Sequence, residues 1–154
     1  MKIRKFRPAD LNRILQLFYN TVRTINIKDY SPKQIEAWAP KHPDSKRWYT
    51  SLSHNITYVA ELDNRIVGFG DLTKEGHIDR LYTHKDMQGK GIGSRILYAL
   101  EQEAKRLGIK DITTEASITA KPFFEHKGYE VLQTQQKKHR SGTTFFTFIM
   151  HKKL

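Results

Sequence analysis

The spacing of apolar and polar positions changes several times along the chain, and each change marks an element. Lys2 to Phe6 alternates, which is the period of a half-buried strand. Pro8 then suits a first helical turn, where its missing N–H costs nothing. Leu11, Ile14, Leu15, Leu17, Phe18 and Val22 follow as one apolar stripe at helical spacing. Ser31-Pro32-Lys33-Gln34 is a capping box with proline at the first helical position, so a second short helix is expected through Trp38. Pro40 and Pro43 break it, and Asp44 opens a third helical piece through Leu52. Thr57 to Leu62 and Ile66 to Leu72 read as strands joined by Asp63-Asn64-Arg65, a hairpin signal.

Gly76 marks another turn, and His77 to Thr83 reads as a further strand. Ile92, Ile96, Leu97, Leu100, Ala104 and Leu107 then return to helical spacing, and Gly108 stops that helix. Lys110 to Glu115 is a short strand and Ala120 to His126 a helix ending at Gly128. Tyr129 to Gln135 and Thr144 to Met150 form a closing hairpin across Ser141-Gly142. The order β-α-α-β-β-β-α-β-α-β-β implies a mixed sheet flanked by helices, an α/β (α+β) architecture. No repeat, low-complexity tract or linker divides residues 1–154, so one domain is expected.

Composition narrows the chemistry. There is no cysteine, which excludes disulfides, a thiol nucleophile and cysteine-type zinc sites. Met1-Lys2-Ile3-Arg4-Lys5 is not followed by an apolar run, and no run approaches the roughly 18 residues of a membrane span. A cytoplasmic protein with no membrane partner is expected. The formal net charge of +11 favours anionic partners. Nucleic acid is one class, but zinc-finger spacing, RNP-type aromatics and a basic heptad segment are all missing. A polyanionic cofactor is another, and a basic solvated surface accounts for the charge equally well.

The candidate chemistry sits at Gln88-Gly89-Lys90-Gly91-Ile92-Gly93-Ser94, between a strand and an amphipathic helix. Its glycines allow a tight turn and close approach to a ligand, and the helix start offers unpaired N–H groups to an anion. Together they suit a pyrophosphate, with Gln88 and Lys90 as possible side-chain contacts. The dinucleotide fingerprint fails because Ser94 or Ile96 stands at the third glycine position, and the P-loop fails because Gly91 follows Lys90. A glycine-rich turn without a ligand remains the plain alternative.

The spacing of Gln88, Gly91 and Gly93 resembles the acetyl-CoA loop of the GNAT superfamily of N-acetyltransferases. Leu81-Tyr82-Thr83 before it, and the stretch from Ala120 through Phe123-Phe124 to Gly128-Tyr129 after it, resemble the family's neighbouring motifs. The resemblance implies a mixed, mostly antiparallel sheet of about six or seven strands with about four helices. It implies acetyl-CoA as cosubstrate and a primary amine of a small molecule or peptide as acceptor. A non-catalytic acyl-CoA-binding module of the same fold is the alternative, and a homodimer is possible.

By the same resemblance, a bulge splays the fourth strand from the fifth. The pantetheine then meets the main chain of Leu81 and Thr83, with Tyr82 between them. The pyrophosphate meets the N–H groups from Gly89 through Lys90, Gly91, Ile92 and Gly93 to Ser94. Ser117, Ala120, Phe123 and Phe124 border the cofactor, although Ala120 and Phe123 suit core packing equally well. Residues two apart in a strand share a face, so His77, Asp79, Leu81 and Thr83 are expected on one side. Asp79, His77 and Glu115 are therefore the candidate bases. Phe124 stands where the family often has a tyrosine acid, leaving Tyr82 or Tyr129 as weak candidates. Tyr30, Trp38, Trp48 and Tyr49 are candidate acceptor walls, and Lys137-Lys138-His139-Arg140 is a basic run at the last hairpin.

Overall fold

The computed structural model describes residues 1–154. The first apolar stripe folds as α1 (Leu11–Thr24), which follows strand β1 (Lys2–Lys5). The capping box opens α2 (Pro32–Trp38): Ser31 Oγ accepts from the Gln34 N–H at 3.1 Å, and Gln34 Oε1 accepts from the Ser31 N–H at 2.8 Å. Asp44 caps α3 (Ser45–His54) by accepting from the Arg47 N–H at 3.1 Å. Strands β2 (Ile56–Leu62) and β3 (Arg65–Leu72) meet at Asp63-Asn64, whose φ values of 51° and 62° make the tight turn that a two-residue hairpin needs. Then come β4 (His77–Thr83), α4 (Ile92–Arg106), β5 (Asp111–Ala116), α5 (Lys121–His126), β6 (Glu130–Lys138) and β7 (Thr144–Lys153).

The seven strands form one sheet in the order β1-β2-β3-β4-β5-β7-β6. All neighbours are antiparallel except β4 and β5. The expected architecture holds, with two differences. The helical piece expected from Asp44 is a full, capped helix, so the α-helices number five where the element order counted four. The closing hairpin is also longer than Gln135 and Met150, because β7 pairs with β6 on one edge and β5 on the other, extending the ladder to Lys153.

Each face of the sheet buries its own core. On one face Ile96, Leu97, Leu100 and Ala104 of α4 pack with Ile78, Ile112 and Met150. On the other, Ile14, Phe18 and Val22 of α1 pack with Leu52, Val59 and Phe69. Gly68 and Gly70 bring α4 close to β3: a Cβ on Gly68 would stand 2.8 Å from both Ile92 and Ile96.

One irregularity matters for everything below. Asp71 pairs with Arg80 and Leu72 with Ile78, so Asp79 is an extra residue with no partner on β3. Such a bulge shifts the alternation of side chains by one. Leu81 therefore packs on the α4 core, and Thr83 Oγ1 lies 3.5 Å from where a Gly93 Cβ would stand. Asp79 instead meets Asn55 at the end of α3. The shared face expected for His77, Asp79, Leu81 and Thr83 is thus corrected: the bulge separates the first two from the last two.

Beneath the bulge Asp71 is fully buried, beside the Arg80 guanidinium and 2.9 Å from Asn55 Nδ2. Burial pushes its carboxyl up to about 6, with Arg80 and then Asn55 opposing the shift. Between the ordinary value of 3.8 and about 6, the folded chain holds a proton there that the unfolded chain has released. Stability contributed by this group is fully present below 3.8 and is lost as pH rises through about 6. We predict that Asp71→Asn flattens this part of the stability profile, as read from urea midpoints. An unchanged slope between pH 4 and 6.5 would count against the buried proton.

Candidate active site

Strands β4 and β5 pair only at His77 with Thr113 and Ile78 with Thr114. Beyond these positions they diverge, and a cleft of about 1080 Å³ opens between them. The N-terminus of α4 and the residues of α5 border one part of the cleft, and Tyr30, Trp38 and Phe145 border another. The His84 N–H donates to Val67 O on β3 at 2.8 Å. Main-chain groups alternate along an antiparallel ladder, so those of Leu81 and Thr83 point away from β3, toward the gap. The Thr83 carbonyl is already engaged there by Thr21 Oγ1 at 3.0 Å and Gln88 Nε2 at 2.8 Å.

The glycine loop caps one end. Gly89 and Gly91 have φ of 72° and 81°, and an added Cβ at either would meet nothing within 4 Å. Backbone conformation, not crowding, calls for glycine at those two positions. Gly93 is different, because a Cβ there would touch the Phe123 ring and Thr83 Oγ1 at 3.5 Å. The N–H groups from Gly89 through Ser94 have no acceptor in the backbone or in side chains. No acidic residue occupies the first turn of α4. A concave row of free donors at a helix start fits a pyrophosphate. The Gln88 side chain, expected to reach toward a ligand, instead ties the loop down by donating to the Thr83 and His84 carbonyls at 2.8 and 3.3 Å.

Of the catalytic and cofactor residues expected from sequence, all except His77, Lys90 and the candidate acid Tyr129 line the cleft; the Tyr129 hydroxyl instead donates to Glu101 at 2.7 Å. His77 is held off by Thr113, whose Oγ1 lies 2.8 Å from His77 Nδ1, and Lys90 is exposed on the outside of the loop. Tyr30 and Trp38 line the far end; Tyr49 is exposed elsewhere. Trp48 is half-buried away from the cleft, edge-on to Phe18 at 4.8 Å and with the Arg80 guanidinium 4.5 Å from its ring centre. Phe124 both lines the cleft and packs between Phe123 and Tyr129, at 5.3 and 5.2 Å.

The residues that follow the last paired positions are Asp79 on β4 and Glu115 on β5, so two carboxylates stand where the strands part. Asp79 Oδ2 accepts from Asn55 Nδ2 at 2.8 Å. Glu115 is more engaged: Thr147 Oγ1 donates to it at 2.8 Å and Lys137 Nζ lies 3.4 Å away. The Tyr82 hydroxyl is pushed well above the ordinary phenol value by burial, with Trp38 opposing the shift. It is thereby held neutral and is a poor proton donor. Burial also raises the Tyr30 hydroxyl, which accepts from the Ile118 N–H at 2.8 Å.

Sequence reading overlooked Arg80, Phe145 and Thr147, which line the cleft. The bulge itself was implied by the family resemblance, but its position at Asp79, which places Arg80, leaves no trace in residue types. Lys137 and His139 of the basic run also face the cleft. No group of three or more His, Cys, Asp or Glu residues is arranged to hold a metal ion. No helix is long and apolar enough to cross a membrane.

Residues 26–152 match the acetyltransferase (GNAT) domain family. An uncharacterised N-acetyltransferase of Escherichia coli K12, YafP, is 33% identical over 99% of this chain and 96% of its own length. A second, from Methanocaldococcus jannaschii, is 28% identical over 99% of this chain and 92% of its own. Among solved structures, a GCN5-related N-acetyltransferase from Rhodopseudomonas palustris superposes with a TM-score of 0.95 at 32% identity, covering 99% of this chain and 95% of that one. The PaiA N-acetyltransferase of Thermoplasma acidophilum, solved with coenzyme A, superposes at 0.78 with 21% identity, covering 99% and 98%. Sequence, domain match and superposed backbone agree with the parted strands and the glycine loop, and the chain belongs to the GNAT superfamily as an N-acetyltransferase.

Proposed function

We propose that this acetyltransferase moves an acetyl group directly from acetyl-CoA to a primary amine of a small molecule or peptide. The observation that carries this reading is the gap between β4 and β5, with free N–H donors at one end and two carboxylates where the strands part. The coenzyme A held by the Thermoplasma acidophilum neighbour supports acetyl-CoA as cosubstrate here. Residues Gly89 to Ser94 would hold the pyrophosphate, and the main chain of Leu81 and the free N–H of Thr83 would meet the pantetheine. Phe123 and Phe124 would pack against its apolar parts.

When bound, acetyl-CoA supplies an activated acyl carbon on a good leaving group. The chain's own groups do the rest. An alkylamine is mostly protonated near pH 7 and must lose a proton to attack. Asp79 is the better placed base, because its carboxylate has one hydrogen bond, whereas Glu115 is occupied by Thr147 and Lys137. The amine N–H bond breaks as the Asp79 O–H bond forms. Main-chain N–H groups of β4 facing the gap stabilise the oxyanion. The walls made by Tyr30, Trp38 and Phe145 orient the amine. Phe124 has no proton to give, so the chain offers no tyrosine acid at this position, and a leaving thiolate, a weaker base than the amine, would take its proton from water.

Acetyl-CoA incubated with a panel of primary amines and N-terminal peptides should release free thiol with matching acetylated product by mass spectrometry. Tight coenzyme A binding with no turnover across the panel would contradict transfer to an amine. Gly91→Glu should abolish coenzyme A binding in calorimetry, since a carboxylate then enters the donor row and a side chain must adopt a φ of 81°. Unchanged affinity would remove the loop from the binding site. Asp79→Asn should lower kcat by about a hundredfold or more while coenzyme A affinity is retained.

A further inference from the structure

The base proposed above stands on irregular backbone. Asp79 is the unpaired residue of the bulge and its side chain is about one-third exposed, at 32%. Nothing in its own strand fixes the carboxylate. One side chain does. Asn55, the residue that ends α3, donates from Nδ2 to Asp79 Oδ2 at 2.8 Å and to Asp71 Oδ2 at 2.9 Å. A primary amide carries two N–H bonds, so this geometry uses both. Flipping the amide would turn its oxygen on two carboxylates, so only one orientation is tolerated.

The support runs inward from there. Asp71 is fully buried and paired with Arg80. The Arg80 guanidinium lies 4.5 Å from the Trp48 ring centre and donates to Ser51 Oγ at 3.0 Å. The Asn55 N–H donates to the Ser51 carbonyl at 2.9 Å, which fixes the residue that holds the bridge. The nearest other titratable group is His77, whose Nε2 is 3.9 Å from Asp79 Oδ1, beyond hydrogen-bond reach.

We propose that Asn55 is a positioning residue for acetyl transfer: braced by Asp71 and Arg80, it holds Asp79 Oδ2 and leaves Oδ1 to take the proton of the acceptor amine. This rests on the assignment of Asp79 as the base. Asn55 touches neither substrate nor reacting atoms and acts through Asp79 alone. Its removal leaves the carboxylate in place chemically but free to rotate, and a small misplacement of a catalytic group can cost about a hundredfold in rate.

The test is a double-mutant cycle using the fastest amine of the acceptor panel. Asn55→Ala should lower kcat about ten- to a hundredfold with coenzyme A affinity unchanged in calorimetry. In an Asp79→Asn background the same substitution should change kcat by less than about twofold, because residues acting as a unit are not additive. Equal effects in both backgrounds would overturn the proposal. Asn55→Asp keeps the shape at the end of α3 but replaces the donor with an acceptor, and it should be as slow as Asn55→Ala; full activity would equally overturn it. Carboxyl-carbon NMR of Asp71 needs no acceptor: its midpoint, about 6 in the native protein, should rise in Asn55→Ala and fall in Asp79→Asn. A midpoint common to all three proteins contradicts the bridge. If Asp79→Asn reacts at the native rate, the base assignment fails and the role of Asn55 with it. If Asp79→Asn is slow and Asn55→Ala is not, the positioning role alone fails.

Discussion

Two parallel strands normally remain hydrogen-bonded along their common length, because an unpaired main-chain group inside a protein is costly. Here β4 and β5 keep their register for two residue pairs and then separate. The extra residue at Asp79 imposes this, since it turns the rest of β4 relative to β3 and carries Leu81 and Thr83 away from β5. The freed groups line the cleft that takes the ligand. The surrounding structure makes the separation tolerable. Ile78, Ile112, Ala116 and Met150 bury one side of the junction, and the Asp71, Arg80 and Asn55 cluster occupies the other.

The glycine loop and the bulge divide the work. The loop presents donors that the helix itself cannot satisfy, and it requires left-handed backbone at Gly89 and Gly91. Gln88 anchors it to the end of β4 by donating to the Thr83 carbonyl. At the opposite end Tyr30 and Trp38 come from around α2 and Phe145 from β7, two segments distant in sequence. Gln34 Nε2 donates to the Thr144 carbonyl at 2.8 Å and Thr119 Oγ1 to Asp29 at 2.7 Å, which ties the region around α2 to the closing hairpin and to the segment before α5.

Much of this was readable from residue order. The stripes of α1 and α4, the capping box at Ser31 and the hairpin signal at Asp63-Asn64-Arg65 are local patterns with local causes, and they fold as expected, save that Arg65 joins β3 and leaves a two-residue turn. The glycine loop was equally legible because its chemistry is contiguous. What escaped was set by pairing between distant segments. Nothing in His77 to Thr83 announces that Asp79 will lack a partner, so a strict alternation placed His77 and Leu81 on one face. The burial of Asp71 depends on Arg80 and Asn55, which lie in other elements. Lys137 reads as part of a basic run until the sheet, with β7 between β5 and β6, brings its Nζ within 3.4 Å of Glu115.

The place of β7 in the sheet affects how the protein is made. It is the last strand in sequence, yet it lies between β5 and β6. During synthesis β5 therefore has an open edge until residues 144–153 have left the ribosome, and β6 has no strand to join. The residues of the glycine loop and α4 precede β7 in the chain, so the anion-binding half of the site is synthesised before the wall opposite it. Long-range pairing of this kind is slow to form, and the edges it leaves open are exposed to mispairing until it is made.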